Sequence, residues 1–272
     1  MSLPPALQSG IRQSHMNLAH RCMRQLWFYL YKGPARPALK PIAGSAGHRA
    51  LEHNFSHKLK TGEEAPLPEV LDCFTTVFDE KVKEADLDGE DPKPIREAIV
   101  GSSKRIGTLP YFHQQRAPLM QPKLIEEPFS IGLHDVSVPL VGTIDFFSQD
   151  GMVSDFKFRF SRMPGKDAAE KSFQLTTYSL ALEARGEKVK QLEEVELIAK
   201  PGARADVKLI QSKPRSGQQY ESALDEYASI VRLVEKAEGD PWAYPMTDPA
   251  NWWCSKIYCG WANQCSRFGG KH

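Results

Sequence analysis

The chain has 272 residues, 41% hydrophobic and 25% charged, with 35 Lys and Arg against 34 Asp and Glu for a formal net charge of +1. That length and composition describe one sizeable globular α/β domain, expected here as a single domain over residues 1–272. They exclude wholesale disorder, a collagen-like repeat and a disulfide-stapled miniprotein. No run of about 18 apolar residues could form a membrane helix, and Met1-Ser2-Leu3-Pro4-Pro5 lacks the charged-then-apolar order of a signal peptide, so the expected compartment is the cytoplasm.

Charge is uneven along the chain. Between Met1 and Gly62, nine Lys and Arg stand against Glu52 alone, accompanied by five of the eight histidines. A region of this sign either contacts phosphates, releasing their counterions, or forms a solvated basic face balanced by the acidic stretch that follows.

Leu18, Cys22, Leu26 and Leu30 recur at four-residue spacing and predict a helix over Asn17–Tyr31, ended by Gly33-Pro34. Further helices are expected at about Gly44–Lys60, Pro68–Glu84 and Pro92–Gly107, each bounded by Pro and Gly, so residues 1–110 read as a mostly helical basic region. Residues 111–215 change character. Pro122–Ile131, Val136–Ser148 and Met152–Phe160 are β-branched and aromatic, and Asp150-Gly151 marks a hairpin, which together predict a three-stranded meander. A helix over Lys166–Arg185 and strands at Gln191–Lys200 and Asp206–Gln211 complete a mixed-sheet core. Residues 216–272 hold a long helix, Gly217–Glu238, and a tail rich in Trp, Pro and Cys.

The chemistry concentrates in the meander, where Gly142-Thr143-Ile144-Asp145 precedes Asp155-Phe156-Lys157. Residues two apart on a strand share a face, so Asp155 and Lys157 point together and Phe156 points into the core. A two-residue Asp150-Gly151 loop would set Asp145 opposite Phe156, on the wrong face. A three-residue loop or a bulge sets it opposite Asp155, and this register is expected. Two carboxylates that close repel unless a cation sits between them, and hard oxygen ligands favour Mg²⁺ or Mn²⁺. Lys157 could then orient or activate a water for attack on a phosphodiester. Gln174 and Tyr178 lie four apart, on one helical face, and His48 offers an imidazole upstream.

Taken in order, Gly44-x₃-His48, Gly142-x-x-Asp145, Asp155-x-Lys157 and Gln174-x₃-Tyr178 resemble the RecB-type nuclease family of the PD-(D/E)XK superfamily, from about Leu18 to Cys265. The resemblance implies a mixed α/β fold, a restriction-endonuclease-like core sheet flanked by helices. It makes His48, Asp145 and Asp155 metal ligands, with the Phe156 carbonyl a fourth, and Lys157 the catalytic lysine. Gln174 and Tyr178 would position the DNA backbone and that lysine, and Glu126 or Glu127 would supply an outer carboxylate.

Cys254, Cys259 and Cys265 cluster near the C-terminus, and three thiols so close in an intracellular chain suggest a metal rather than disulfides. With Cys22 upstream they look like the iron–sulfur staple of the CRISPR-adaptation nucleases and AddB-type helicase-nucleases. Four thiolates suit a [4Fe–4S] cluster, with a structural Zn²⁺ as the alternative. The tail would then pack back on the N-terminal helix. Cys73 reads as a buried core thiol. Trp252, Trp253, Tyr258 and Trp261 either shield that metal, the favoured reading, or stack on unpaired bases.

The implied function is a metal-dependent DNA exonuclease acting on single-stranded or resected ends, in recombination and repair, phage DNA metabolism or spacer acquisition. No G-x₄-G-K-[ST] signature is present, so unwinding would fall to a helicase or recombination partner. A structure-specific endonuclease and a catalytically silent iron–sulfur DNA-binding subunit are the alternatives.

Overall fold

A computed structural model describes residues 3–35, 38–85, 87, 89–160, 165–256 and 258–270. The chain divides into two compact units: Met1–Arg36, Phe129–Gly142 and Gly217–His272 form one, and Pro37–Pro128 with Thr143–Ser216 form the other.

In the first unit, a short helix α1 (Pro5–Gln8) leads to α2 (Gln13–Arg21) and α3 (Met23–Lys32). The single helix expected over Asn17–Tyr31 is thus broken. Cys22 sits between the two in an extended conformation, φ −169° and ψ 117°, where the helical ladder cannot continue. Met16, Leu26, Phe28, Tyr227, Val231 and Tyr244 are buried in this unit's core. The Trp27 indole donates to the Gly239 carbonyl at 2.8 Å and the Arg24 guanidinium to the Tyr244 carbonyl at 3.2 Å, which anchors the tail to α3.

In the second unit come α4 (Leu39–Thr61), α5 (Leu67–Glu84) and α6 (Lys93–Val100). The helix expected over Pro92–Gly107 ends early, because Gly101 takes φ +100° and turns the chain into a two-stranded ribbon, β1 (Gly101–Ser102) and β2 (Arg105–Ile106). A helix the spacing did not reveal, α7 (Thr108–Gln115), follows.

The five-stranded sheet has the order β3 (Pro122–Ile131), β4 (Leu140–Ser148), β5 (Met152–Arg159), β6 (Gln191–Ile198), β7 (Asp206–Ser212). β4 and β5 run antiparallel, β5 and β6 parallel, β6 and β7 antiparallel. The parallel step requires a helical crossover. It is supplied by α8 (Ala168–Lys171) and α9 (Phe173–Ala184), with α10 (Gly217–Ala237) closing the order of helices in the first unit. Ser172, at φ −70° and ψ 108°, divides the helix expected over Lys166–Arg185, and its hydroxyl caps α9 by accepting from the Leu175 N–H.

The alternation of β5 sets everything above it. Phe156, Phe158 and Phe160 face a core shared with α4, α5 and α7, while Asp155, Lys157 and Arg159 face the other way. Phe55 of α4 packs on Phe146 and Phe156 with ring centroids 4.8 and 5.8 Å apart. Close approach of α4 depends on Gly47, whose added Cβ would lie 2.2 Å from the Phe158 ring. Gly44, the glycine of the G-x₃-H motif, has open space around it and no such requirement. Gly47→Ala is therefore expected to destabilise the protein by roughly 1–3 kcal/mol through overpacking, and Gly47→Ala/Phe158→Leu to recover most of the loss. Thermal unfolding of both variants checks this, and an unchanged midpoint for Gly47→Ala would contradict it.

Candidate active site

The register between β4 and β5 brings the site together. Phe146 pairs with Ser154 and Phe147 with Val153, so one step further along the ladder sets Asp145 opposite Asp155. The loop between the strands is Gln149-Asp150-Gly151, three residues as expected, with Gly151 at φ +93° in the left-handed position that closes such hairpins.

Asp145 and Asp155 are both buried, and a run of side-chain contacts links them through α9. The Lys157 ammonium lies 2.8 Å from Asp155 Oδ1 and donates to Gln174 Oε1 at 2.7 Å. Gln174 Nε2 donates to the Tyr178 hydroxyl at 2.5 Å, and Tyr178 donates to Asp145 Oδ1 at 2.8 Å. The Phe156 N–H donates to Asp145 Oδ2 at 3.2 Å. Each partner lies on a helix or strand, which holds these groups more tightly than loops would.

On the other side of Asp145, His48 Nδ1 lies 3.5 Å from Asp145 Oδ2 and 4.0 Å from Glu126 Oε1. Among the described residues, His48, Glu126 and Asp145 are the group of metal-ligating side chains whose donor atoms all fall within 4.8 Å of one another. Sequence left Glu126 and Glu127 equal. The backbone chooses: Glu126 takes φ +46°, which breaks the strand alternation and turns it to His48, whereas Glu127 pairs with Arg185 at 2.8 Å. Asp155 lies outside the trio, and Tyr178 reaches the site through the Asp145 carboxylate.

The electrostatics state a need for positive charge. Burial pushes the Glu126 carboxyl up to about 8, helped by the charges of Asp145 and Glu52 and opposed by Arg49. Burial likewise pushes Asp155 up to about 8, against the pull of Lys157 and with the repulsion of Asp145. Neither Asp155 oxygen receives a hydrogen bond of good geometry. Burial works against the charge of Lys157, but Asp155 and Asp145 outweigh it and hold the amine above its ordinary value. In this charge state Lys157 is a donor, not a base. An imidazole and two carboxylates with donor atoms within 4.8 Å of one another, and across the ladder an Asp155 carboxylate short of well-aligned donors, fit a hard divalent cation.

The cysteines assemble in the first unit. Cys22, Cys254, Cys259 and Cys265 line one cavity, all as free thiols. Donors reach the sulfurs: Arg267 to Cys254 at 2.9 Å, the Thr247 N–H to Cys22 at 3.4 Å, and Gln25 to Cys259 at 3.5 Å. Cys73 stands apart in α5 and is half-buried rather than a core thiol. Of the tail aromatics, Trp261 is buried against Phe28, but Trp252 and Tyr258 are 57% and 62% exposed and shield little.

Comparison with known proteins follows the same lines. The family profile described as the PD-(D/E)XK nuclease superfamily matches residues 12–266. No curated protein matches the sequence. The crystal structure of a "putative exonuclease" from Eubacterium rectale aligns with a TM-score of 0.55 and 11% identity over 92% of this chain and 88% of the other, which bears on the fold alone. The structure of SSO0001 aligns at a TM-score of 0.34 with 12% identity, over 93% of this chain and 96% of the other, and adds nothing to the fold assignment.

Because protons on Glu126 and Asp155 must leave before their oxygens can bind a cation, Mn²⁺ affinity should rise with pH. The expected slope is at least about tenfold per unit below pH 8. Both carboxyls sit above their unfolded values, so the metal-free fold should also lose stability as pH rises from the ordinary carboxylate range toward 8. Calorimetric Mn²⁺ titrations at several pH values check the first point; a flat profile, or one that Glu126→Gln leaves equally steep, would contradict it.

Proposed function

Since the chain belongs to the PD-(D/E)XK nuclease superfamily, we propose that it is a RecB-type DNA exonuclease that hydrolyses phosphodiester bonds at single-stranded or resected ends with Mg²⁺ or Mn²⁺. The observation that carries this reading is the linked set Lys157, Gln174, Tyr178 and Asp145, with Asp155 beside the lysine and His48 and Glu126 beside Asp145. His48, Glu126 and Asp145 would hold the cation, with Asp155 and the Phe156 carbonyl as the further oxygens. The N–H and C=O of a strand residue point toward the same neighbour, so the Phe156 carbonyl is turned to the edge where its N–H meets Asp145. When bound, the metal supplies Lewis acidity toward the phosphodiester and lowers the pKa of a ligated water.

The chain's own residues then do the following. Tyr178 fixes the orientation of Asp145, Gln174 fixes that of Lys157, and the Lys157 ammonium donates to the attacking water or to a phosphoryl oxygen as negative charge grows there. The family match spans segments of both units, which supports one nuclease module. With no nucleotide-binding loop, unwinding is assigned to a helicase or recombination partner and the work to the cytoplasm. Among the described residues, no helix is long and apolar enough to cross a membrane.

We further read the four cysteines as ligands of a [4Fe–4S] cluster with a structural role, closing a loop of more than 200 residues. Donors to cysteine sulfur are a feature that tunes such clusters.

End-labelled linear and circular single-stranded DNA, incubated with Mg²⁺, Mn²⁺ or EDTA, test the catalytic reading. Metal-dependent loss of linear substrate, intact circles and a rate at least about a hundredfold lower for Lys157→Ala are expected. Cleaved circles would indicate an endonuclease, and inert folded protein a silent DNA-binding subunit. Anaerobic purification with iron, sulfide and zinc assays tests the cluster. Iron and sulfide lost together in Cys22→Ala, with a lowered melting temperature, are expected; stoichiometric zinc in the wild type would replace the cluster by a zinc site.

A further inference from the structure

Two strand positions beyond Lys157, on the same face of β5, stands Arg159, about 6.6 Å further along the strand. It is held from below by two carboxylates of the neighbouring strand. Its Nε donates to Glu196 Oε2, and its Nη2 donates to Glu194 Oε1 at 2.8 Å and to Glu196 Oε1 at 2.6 Å. Glu194 and Glu196 have side chains 6% and 0% exposed, whereas the Arg159 side chain is 36% exposed. A guanidinium carries five N–H donors in a fixed plane. Three are used, and the two on Nη1 have no partner among the described residues.

The arrangement is costly for a purely structural one. Burying two carboxylates to hold one guanidinium gains little over apolar side chains of the same volume, since desolvation offsets the attraction. Here the carboxylates fix the plane of the fork, and the side chain stays 36% exposed on the strand face that carries Lys157. A guanidinium fixed in its plane, partly exposed and with two donors unpaired among the described residues, matches the oxygens of a phosphodiester.

Resting on the nuclease reading, we propose that Arg159 is a substrate-binding residue: its Nη1 edge binds a backbone phosphate adjacent to the one at Lys157, and Glu194 and Glu196 are its positioning residues. Arg159 thereby sets which phosphate of the strand reaches Lys157. It carries charge to a face otherwise dominated by Asp145, Asp155, Glu126, Glu194 and Glu196, so its contribution to DNA affinity is large in the absence of metal.

Anisotropy of a labelled single-stranded oligonucleotide, measured in EDTA over a salt series, tests the assignment alongside cleavage in Mg²⁺. Arg159→Met should weaken binding roughly ten- to a hundredfold. It should also reduce the slope of log affinity against log salt by about 0.7, the loss of one phosphate contact. Arg159→Lys keeps the cation and should restore the slope, though not the full cleavage rate. A structural role would lower the melting temperature and leave the slope where it was, and a folded Arg159→Met with wild-type slope overturns the proposal. If Arg159→Met does not fold, Arg159→Met/Glu194→Gln/Glu196→Gln leaves no unpaired buried charge, and its slope is compared with that of Glu194→Gln/Glu196→Gln, which lacks the same two carboxylates. Wild-type protein that neither binds nor cleaves DNA would overturn the nuclease reading itself; wild-type protein that does both, with an unmoved slope in the variant, overturns this assignment alone.

Discussion

Negative charge held out of water is the constraint around which the second unit is built. Asp145, Asp155, Glu193, Glu194 and Glu196 are all buried on three adjacent strands. Each would destabilise the fold by several kcal/mol if left ionised and unpaired. The protein meets the problem differently on the two faces of the sheet. On the face of Ser154, Glu193 is neutralised completely: Arg116 lies 3.1 Å away and Gln211 donates at 2.8 Å. On the face of Asp155, Lys157 lies beside Asp155 and Arg159 pairs with Glu194 and Glu196, Asp145 takes neutral donors from Tyr178 and the Phe156 N–H, and Asp155 has no hydrogen-bond donor of good geometry among the described residues. A stability argument explains the first face. The second is a candidate site for a cation, as the His48, Glu126 and Asp145 group suggests.

This asymmetry also says why the lysine belongs where it is. An amine beside carboxylates is a poor base while those charges stand, because Asp155 and Asp145 outweigh burial and hold the ammonium charged. Only when a divalent ion takes up the carboxylates does the amine's environment relax. On the proposed reading the role of Lys157 is tied to occupancy of the site, and Gln174, which accepts from the amine, holds it on that face of the sheet.

Much of the site was legible in the sequence, and the reasons are geometric. Strand alternation alone put Asp155 and Lys157 on one face and Phe156 in the core, and a three-residue hairpin loop was enough to bring Asp145 across. Helical spacing put Gln174 and Tyr178 together. What escaped were departures from regular geometry. Glu126 could not be told from Glu127, because only its positive φ, invisible to a period-two pattern, turns it toward His48. Cys22 fits the apolar four-residue repeat so well that the break at that residue was hidden; its extended backbone is what delivers a thiol to the cavity. Gly47 was passed over for Gly44 because motif spacing weighs position, while the ring of Phe158 weighs space.

The same view assigns a place to Arg215, a buried cation the motifs never pointed to. It leaves the end of β7 and donates to the Ala169 carbonyl at 2.6 Å, the Ser172 carbonyl at 3.3 Å and the Thr176 hydroxyl at 2.8 Å. Those groups flank the point where α8 stops and α9 begins; the Ala169 and Ser172 carbonyls also accept the Ser172 and Thr176 N–H, so one planar fork braces the junction from outside the helical ladder. The break is what sets the first turn of α9, and Gln174 lies in that turn. Without the break at Ser172 one continuous helix would carry Gln174 and Tyr178 on a different bearing. The linked contacts from Lys157 to Asp145 thus depend on a guanidinium that touches none of them, much as the cysteine cavity depends on an extended residue between two helices.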